Sequence, residues 1–203
     1  MKKIEIEIPD GKRAEWKEVD GQTVLALVDE EDGHAVSALI DEVDNRPVTE
    51  RIKMFGDAIY ELEKRAKRNE GIALMLADFE SNECNIKTKG TLAYMKLCII
   101  SAALNEGWEP PLTTDRIRFY PGFFIYTQDE IDNMDEEKKK SLVLWGGPAY
   151  LGELFGLAYS HPYMNSTYDL SAFPTRLYVK SKELADYFGK QFIDIWADLI
   201  FQK

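Results

Sequence analysis

The chain has 203 residues, of which 36 are acidic and 25 basic, so its formal net charge is -11. A composition with 45% hydrophobic and 12% aromatic residues is typical of a folded globular protein and excludes a disordered chain. The acidity excludes a general basic coat for DNA, and no run of about 18 apolar residues predicts a membrane-spanning helix.

The N-terminal residues predict a small β unit. Isoleucine and glutamate alternate over residues 4–8, and this period of two indicates a half-buried strand. Residues 14–28 predict a hairpin of two strands around an Asp20-Gly21 turn. We therefore expect a β-hairpin unit with an acidic loop over residues 1–45, followed by a main domain over residues 46–203.

Five helices are predicted in the main domain, one of them a short helix that Thr127 caps and that runs through Met134. Thr49 is a good N-cap, and apolar residues then recur at spacings of three and four up to about Arg68. Residues 72–79 predict a short buried helix. Residues 91–106 are apolar on almost every side, which is typical of a helix in the centre of a fold. Ser181 caps a last helix that is predicted to continue to the end of the chain.

The second half of the chain predicts strands. Residues 116–126 are aromatic and β-prone, with a Pro-Gly interruption that indicates a bulge or an edge strand. Residues 142–145, 154–160 and 176–180 predict three more strands. Strands and helices that do not alternate favour an α+β fold. We expect a mostly antiparallel sheet packed against the helices near residues 91–106 and 181–201, with the small N-terminal β-hairpin unit beside it.

Metal and cofactor motifs are absent from the sequence. The histidines are His34 and His161, the cysteines are Cys84 and Cys98, and none has the spacing of a zinc site. The glycine-rich residues 146–156 lack the lysine and the serine or threonine of a P-loop. No metal site and no cofactor are therefore predicted. His161 lies before a proline in a predicted loop and is the first candidate for a general base.

The aromatic stretch 116–180 holds the candidate ligand-binding residues. Two interpretations stay open, because aromatic side chains at alternate strand positions either form an exposed surface or fill the interface between sheet and helices. If the first strand alternates regularly, Arg116, Arg118 and Tyr120 share one face, and Ile117 and Phe119 share the other. The ligand-binding candidates are Arg116, Arg118, Tyr120, Tyr126, Trp145, Tyr159, Tyr163, Arg176 and Tyr178, with His161 as the catalytic candidate.

Several segments together resemble a family of uncharacterised phage- and prophage-associated proteins of gut anaerobic bacteria. They are Ile-Glu-Ile-Pro-Asp-Gly-Lys-Arg-Ala-Glu-Trp at 6–16, Asp-Asn-Arg-Pro-Val-Thr-Glu-Arg-Ile-Lys at 44–53, Ala-Leu-Asn-Glu-Gly-Trp-Glu-Pro at 103–110, Phe-Tyr-Pro-Gly-Phe at 119–123, and residues 176–192. The resemblance covers most of the chain and implies a protein of viral or mobile-element origin, with no known activity. It implies a cytoplasmic protein of the bacterial host cell. Glutamates also stand where a signal peptide needs an apolar core, so we do not expect secretion.

These observations predict an accessory protein and favour a binding function over an enzymatic one. It would bind a macromolecule through the aromatic, glycine-rich surface of residues 116–180, and a protein partner or self-association is expected. One alternative is an enzyme on a small or nucleotide-like substrate, using His161 with a carboxylate and Tyr159 or Tyr163. Another is single-stranded nucleic-acid binding or acidic DNA mimicry. Residues 1–50 carry a net charge of -8 and residues 116–180 only -1, so acidity does not exclude an anionic ligand there.

Overall fold

The chain divides into two compact units, Met1–Arg46 and Pro47–Lys203, in a computed structural model. The structure describes residues 12–19, 22–29, 35–36, 44, 46–109, 117–147, 153–165 and 175–201. The predicted strand at residues 4–8 lies outside the described residues. The described elements are α-helices and antiparallel sheets, which confirms the predicted α+β class.

The N-terminal unit contains a three-stranded antiparallel sheet. Its strands are β1 (Lys12–Val19), β2 (Gln22–Asp29) and β3 (Ala35–Val36), in the order β1-β2-β3. The hairpin is confirmed, because β1 and β2 pair along their whole length, from Lys12 opposite Asp29 to Val19 opposite Gln22. The Asp20-Gly21 turn predicted between them lies outside the described residues.

The second unit begins with four α-helices. These are α1 (Val48–Arg51), α2 (Phe55–Ala66), α3 (Glu70–Asn82) and α4 (Lys89–Leu104). The prediction of one helix from Thr49 to Arg68 is wrong. The Asp57 carboxylate accepts hydrogen bonds from the backbone N–H groups of Lys53 and Met54, at 2.8 and 2.9 Å. These bonds begin a new helix at residue 55, since a side-chain acceptor satisfies N–H groups that a continuous helix would bond internally.

Helix α4 lies in the centre of this unit, as its all-round apolar sequence predicts. Leu97, Ile99, Ile100 and Leu104 are at most 1% exposed. The helix packs against α2 and against the C-terminal helix described below. At roughly 2 kcal/mol for each fully buried aliphatic side chain, α4 contributes a large share of the core.

The second sheet contains β4 (Arg118–Tyr126), β5 (Val143–Gly146) and β6 (Leu154–Asn165), in the order β4-β6-β5. Two short helices, α5 (Gln128–Asp132) and α6 (Glu136–Lys140), connect β4 to β5. The edge strand predicted from the Pro-Gly interruption is confirmed, because β4 lies at the edge of its sheet. The pairing is also irregular between Pro121 and Phe123, but the extra residue of this bulge lies on β6.

Strand β6 is longer than predicted, and His161 lies in it instead of in a loop. The strand continues through His161 and Pro162 to Asn165. Beyond Leu157, β6 pairs with β4 but no longer with β5. Proline is tolerated there because only one side of the strand requires a hydrogen-bond donor.

The predicted strand at residues 176–180 is wrong. Thr175–Leu177 form a 3₁₀ turn, and only a single bridge, between Val179 and Phe119, joins this segment to β4. The last helix is also divided in two at Phe192, into α7 (Lys182–Gln191) and α8 (Ile193–Ile200). No helix among the described residues is both long and apolar enough to cross a membrane.

Helices α7 and α8 cover one face of the second sheet. Gly189 allows α7 to approach closely, because a Cβ atom there would lie 2.5 Å from the Tyr159 ring and 2.7 Å from Pro121 Cβ. Phe123 packs against Tyr159 and against Trp196 of α8, with ring centroids 6.1 and 5.2 Å apart. Odd-numbered residues of β4 therefore face the helices, and even-numbered residues face the opposite way.

Candidate functional site

The face of the second sheet opposite α7 and α8 carries most of the candidate residues, and we call it the outer face. The alternation of β4 places three candidate residues there, Arg118, Tyr120 and Tyr126. Phe124 lies on the same face. The opposite placement of Phe119, which packs with the core, agrees with the alternation expected from the sequence.

Three tyrosine rings form a row that begins in the core and ends on the outer face, since Tyr178 is 1% exposed and Tyr163 is 40% exposed. Tyr120 stands between the other two: its ring stacks on Tyr163, with centroids 5.7 Å apart and planes at 18°, and meets the edge of Tyr178 at 5.7 Å. The ring of His161 lies 4.3 Å from that of Tyr163. Gly122 makes room for this row, because a Cβ atom at that position would lie 2.0 Å from the Tyr163 ring. We call Tyr178, Tyr120, Tyr163 and His161 the aromatic row.

A bulge in β6 places His161 in the aromatic row. Pro121 pairs with Pro162 and Phe123 pairs with Tyr159, so Ser160 and His161 together stand opposite Gly122. The Ser160 Oγ atom lies 2.7 Å from His161 Nδ1. β-Bulges commonly redirect a side chain in this way.

The outer face is apolar and partly exposed beyond the aromatic row. Phe124 is 50% exposed, Leu144 is 47% exposed and Tyr163 is 40% exposed. Leu144 and Tyr126 both stand opposite Gly156 on β6, so the apolar surface extends over all three strands. Ile131 of α5 and Leu142 cover the sheet at Gly156, where an added Cβ atom would meet both of them.

Helix α4 holds the aromatic row in place through two buried polar residues. The Tyr178 carbonyl accepts hydrogen bonds from Ser101 Oγ at 3.0 Å and from Asn105 Nδ2 at 2.8 Å. The Asn105 Oδ1 atom accepts the backbone N–H of Lys180 at 3.0 Å. Sequence reasoning did not identify Ser101 and Asn105. The signal was two polar residues, four positions apart, in the otherwise apolar residues 97–105 at the C-terminal end of α4.

An ion-pair network lies beside this anchor. Glu106 pairs with Lys180, at 2.7 Å, and with Arg51, which also pairs with the buried Glu61. Burial alone would raise the pKa of Glu106, but the hydrogen bond and charge of Lys180, with the charges of Arg51 and Arg65, hold that pKa below its usual value. The two ion pairs of Glu106 therefore contribute stability only while its carboxylate is ionised.

The cation on the outer face is buried. Arg118 is 2% exposed, and its guanidinium lies 5.6 Å from the centroid of the Tyr178 ring. A guanidinium over an aromatic ring is a stabilising cation–π arrangement. Arg118 therefore packs within the fold, and its charge is not presented to solvent.

The remaining candidates do not join the aromatic row. Tyr159 lies under α7, where burial, and next the nearby Asp186 carboxylate, raise the pKa of its phenol. Trp145 stacks on Phe201 after α8, with centroids 5.0 Å apart. Arg176 borders a cavity beside α4, and Arg116 lies outside the described residues.

The outer face shows little of what catalysis at His161 would require. Within the described residues, His161 forms no hydrogen bond or ion pair with a carboxylate, and its ring is exposed. The same part of the chain contains no cluster of three or more His, Cys, Asp or Glu side chains that could hold a metal ion. The arrangement can stack rings and exclude water, which are the properties of a binding surface.

No family model, no curated protein and no solved structure matches this chain.

Proposed function

We propose that this chain is a binding protein and that a protein partner docks on the outer face of its second sheet. The observation that carries the proposal is the exposed end of the aromatic row, formed by Tyr163 and His161, together with half-exposed Phe124 and Leu144 on the same face of the sheet. Rigid aromatic side chains supply large contact areas at a low entropic cost, and they are enriched where proteins bind one another.

A protein partner fits the charge of this face better than a nucleic acid does. Binding to a phosphate backbone requires lysine and arginine side chains that solvent can reach. Arg118 is buried against Tyr178, and Lys180 is ion-paired with Glu106. Stacked tyrosines also suit single-stranded nucleic acids, so that class is a direct alternative for the experiment to test.

The biological setting is part of the proposal. The resemblance to phage- and prophage-associated proteins favours an accessory role in the cytoplasm of a bacterial host, where the partner would be a host or phage protein or a second copy of the chain. Enzymatic activity at His161 is not favoured, because its contacts within the described residues are Ser160 and Tyr163.

The experiment compares the wild-type chain with Tyr163→Ala and Phe124→Ala, both on the outer face. The matched control is Tyr60→Ala, because Tyr60 is 60% exposed on α2 and contacts Lys64 instead of the sheet. Tagged variants are used to retain proteins from a bacterial lysate, and each variant is measured for self-association by analytical ultracentrifugation. The two outer-face variants should lose about tenfold in partner affinity, and Tyr60→Ala should keep it.

Two outcomes would contradict the proposal. Equal retention by the wild type and by both outer-face variants would show that the partner binds elsewhere. Tight binding of oligo(dT) or oligo(U) that depends on Tyr163, measured by fluorescence anisotropy, would replace a protein partner with a single-stranded nucleic acid.

A further inference from the structure

A cavity of about 560 Å³ lies between α3, α4 and the segment around Arg176, away from the exposed part of the outer face. Pockets for small molecules have volumes of roughly 300–1,000 Å³. The cavity therefore has the size of a site for a small molecule.

The walls of the cavity are largely apolar side chains, and several of them are only partly buried by the rest of the core. In α3, Leu76 and Phe79 are buried, whereas Met75 is half-buried and Leu74 is 59% exposed. In α4, the half-buried side chains that line the cavity are Tyr94, Met95 and Ala102. A helix that is apolar on all sides is normally covered on all sides, so this surface of α4 suits an apolar ligand. The flexible thioethers of Met75 and Met95 can adapt to its shape.

One end of the cavity carries a cation. Arg176 is exposed at the cavity and forms no hydrogen bond or ion pair with the residues that the structure describes. Burial raises the pKa of the Cys98 thiol and of the Tyr94 phenol, and the charge of Arg176 opposes both shifts. Arg176, Tyr94 and Cys98 all line the cavity, so the guanidinium faces the same space as these two α4 side chains.

The acidic residues that line the cavity do not neutralise this cation. Asp78 lies on α3 and forms no ion pair with Arg176 among the described contacts. Glu109 follows the C-terminal end of α4, several residues beyond the part of the helix that Arg176 influences. Both acids are exposed to solvent at the edge of the cavity. A ligand with one anionic end at Arg176 and an apolar remainder matches this distribution.

We propose that the cavity between α3 and α4 binds a small amphipathic anion, with its hydrocarbon body against Met75, Met95 and Ala102 and its carboxylate paired with Arg176. Arginine suits this role because its planar guanidinium binds a carboxylate through two parallel hydrogen bonds. The cavity shares Tyr178, Ser101 and Asn105 with the buried end of the aromatic row and its support. The four residues proposed to contact this ligand take no part in the outer face, so the two proposals are tested by different variants.

The test uses decanoate and 1-decanol, which share the same apolar chain and differ in the charged group. Isothermal titration calorimetry on the full chain should show decanoate binding with one site, and 1-decanol binding about tenfold more weakly. Arg176→Gln should weaken decanoate binding by about tenfold and leave 1-decanol binding unchanged. Arg68→Gln removes an exposed arginine at the end of α2 and should change neither affinity.

Filling the cavity tests the position of the ligand. Ala102→Trp and Met75→Trp place a large ring in it from opposite walls, and each should abolish binding of both compounds. Circular dichroism identifies which of the two variants is folded, and the folded one is used. The proposal is overturned if decanoate fails to bind at about 1 mM. It is also overturned if a folded cavity-filling variant binds decanoate as the wild type does, or if Arg176→Gln leaves the preference for decanoate unchanged.

Discussion

Asn105 is the residue whose removal should most directly loosen the support of the aromatic row. Its side chain is 4% exposed, donates to the Tyr178 carbonyl at 2.8 Å and accepts the Lys180 N–H at 3.0 Å. Two hydrogen bonds at about 1 kcal/mol each, together with a backbone N–H left without its partner, predict that Asn105→Ala lowers the free energy of unfolding by about 2–3 kcal/mol. Ser101→Ala should cost about 1 kcal/mol, because the Tyr178 carbonyl then keeps its bond from Asn105.

The double variant separates this explanation from a simple loss of packing. Either single change leaves the Tyr178 carbonyl one of its two donors, and the double change removes both. The combined loss should therefore exceed the sum of the single losses by about 1 kcal/mol. Asn105→Asp keeps the side-chain volume but places an acceptor against the carbonyl, so it should be at least as destabilising as Asn105→Ala.

Urea unfolding followed by far-ultraviolet circular dichroism measures these losses, because the described helices all lie in the second unit. The reasoning would be refuted if Asn105→Ala stayed within about 0.5 kcal/mol of the wild type, or if the two single losses simply added.

Three further predictions use other parts of the second unit. Gly189→Ala should lower the free energy of unfolding by about 1–3 kcal/mol, because the added Cβ atom would collide with the Tyr159 ring. Gly56→Ala should raise that free energy by about 0.5–1 kcal/mol, because no atom lies within 4 Å of the added Cβ atom. Urea unfolding of the two variants measures both changes. Ellman's reagent should label exposed Cys84 rapidly and buried Cys98, whose thiol pKa is raised by burial, only after unfolding; rapid labelling of a Cys84→Ser variant would contradict this. The depressed pKa of Glu106 contributes stability that is complete well above about pH 4.5 and is lost as the pH falls through the folded-state pKa. The urea midpoint of Glu106→Gln should therefore fall less steeply than that of the wild type between neutral and acidic pH.

The sequence predicted elements well where one local pattern decided the structure. The apolar character of residues 91–106 correctly predicted a central helix, and Thr127 and Ser181 cap helices as expected. The prediction failed where a side chain accepts the hydrogen bonds that backbone carbonyls accept in a continuous helix. The stripe from Ile52 to Phe55 has helical spacing, so nothing in that spacing reveals the break that Asp57 produces.

Tertiary contacts account for the other failures. Residues 176–180 have the composition of a strand, but Ser101 and Asn105 take the hydrogen-bonding groups that a neighbouring strand would otherwise use. For the candidate site, alternation correctly separated Tyr120 from Phe119. It could not show that Tyr159 lies under α7, since that depends on the glycine at position 189.

The two-residue bulge at Ser160 and His161 makes the outer face depend on the length of β6 as well as on its residue types. Two residues of β6 stand opposite the single residue Gly122, so deleting either of them would still leave Pro162 opposite Pro121 and Tyr163 opposite Tyr120. Regular pairing without a deletion would instead exchange the faces of every position after Ser160, so that Pro162 pointed outwards and Tyr163 pointed towards α7. A related chain without the bulge would therefore present the same aromatic surface only if it had one residue fewer at this point.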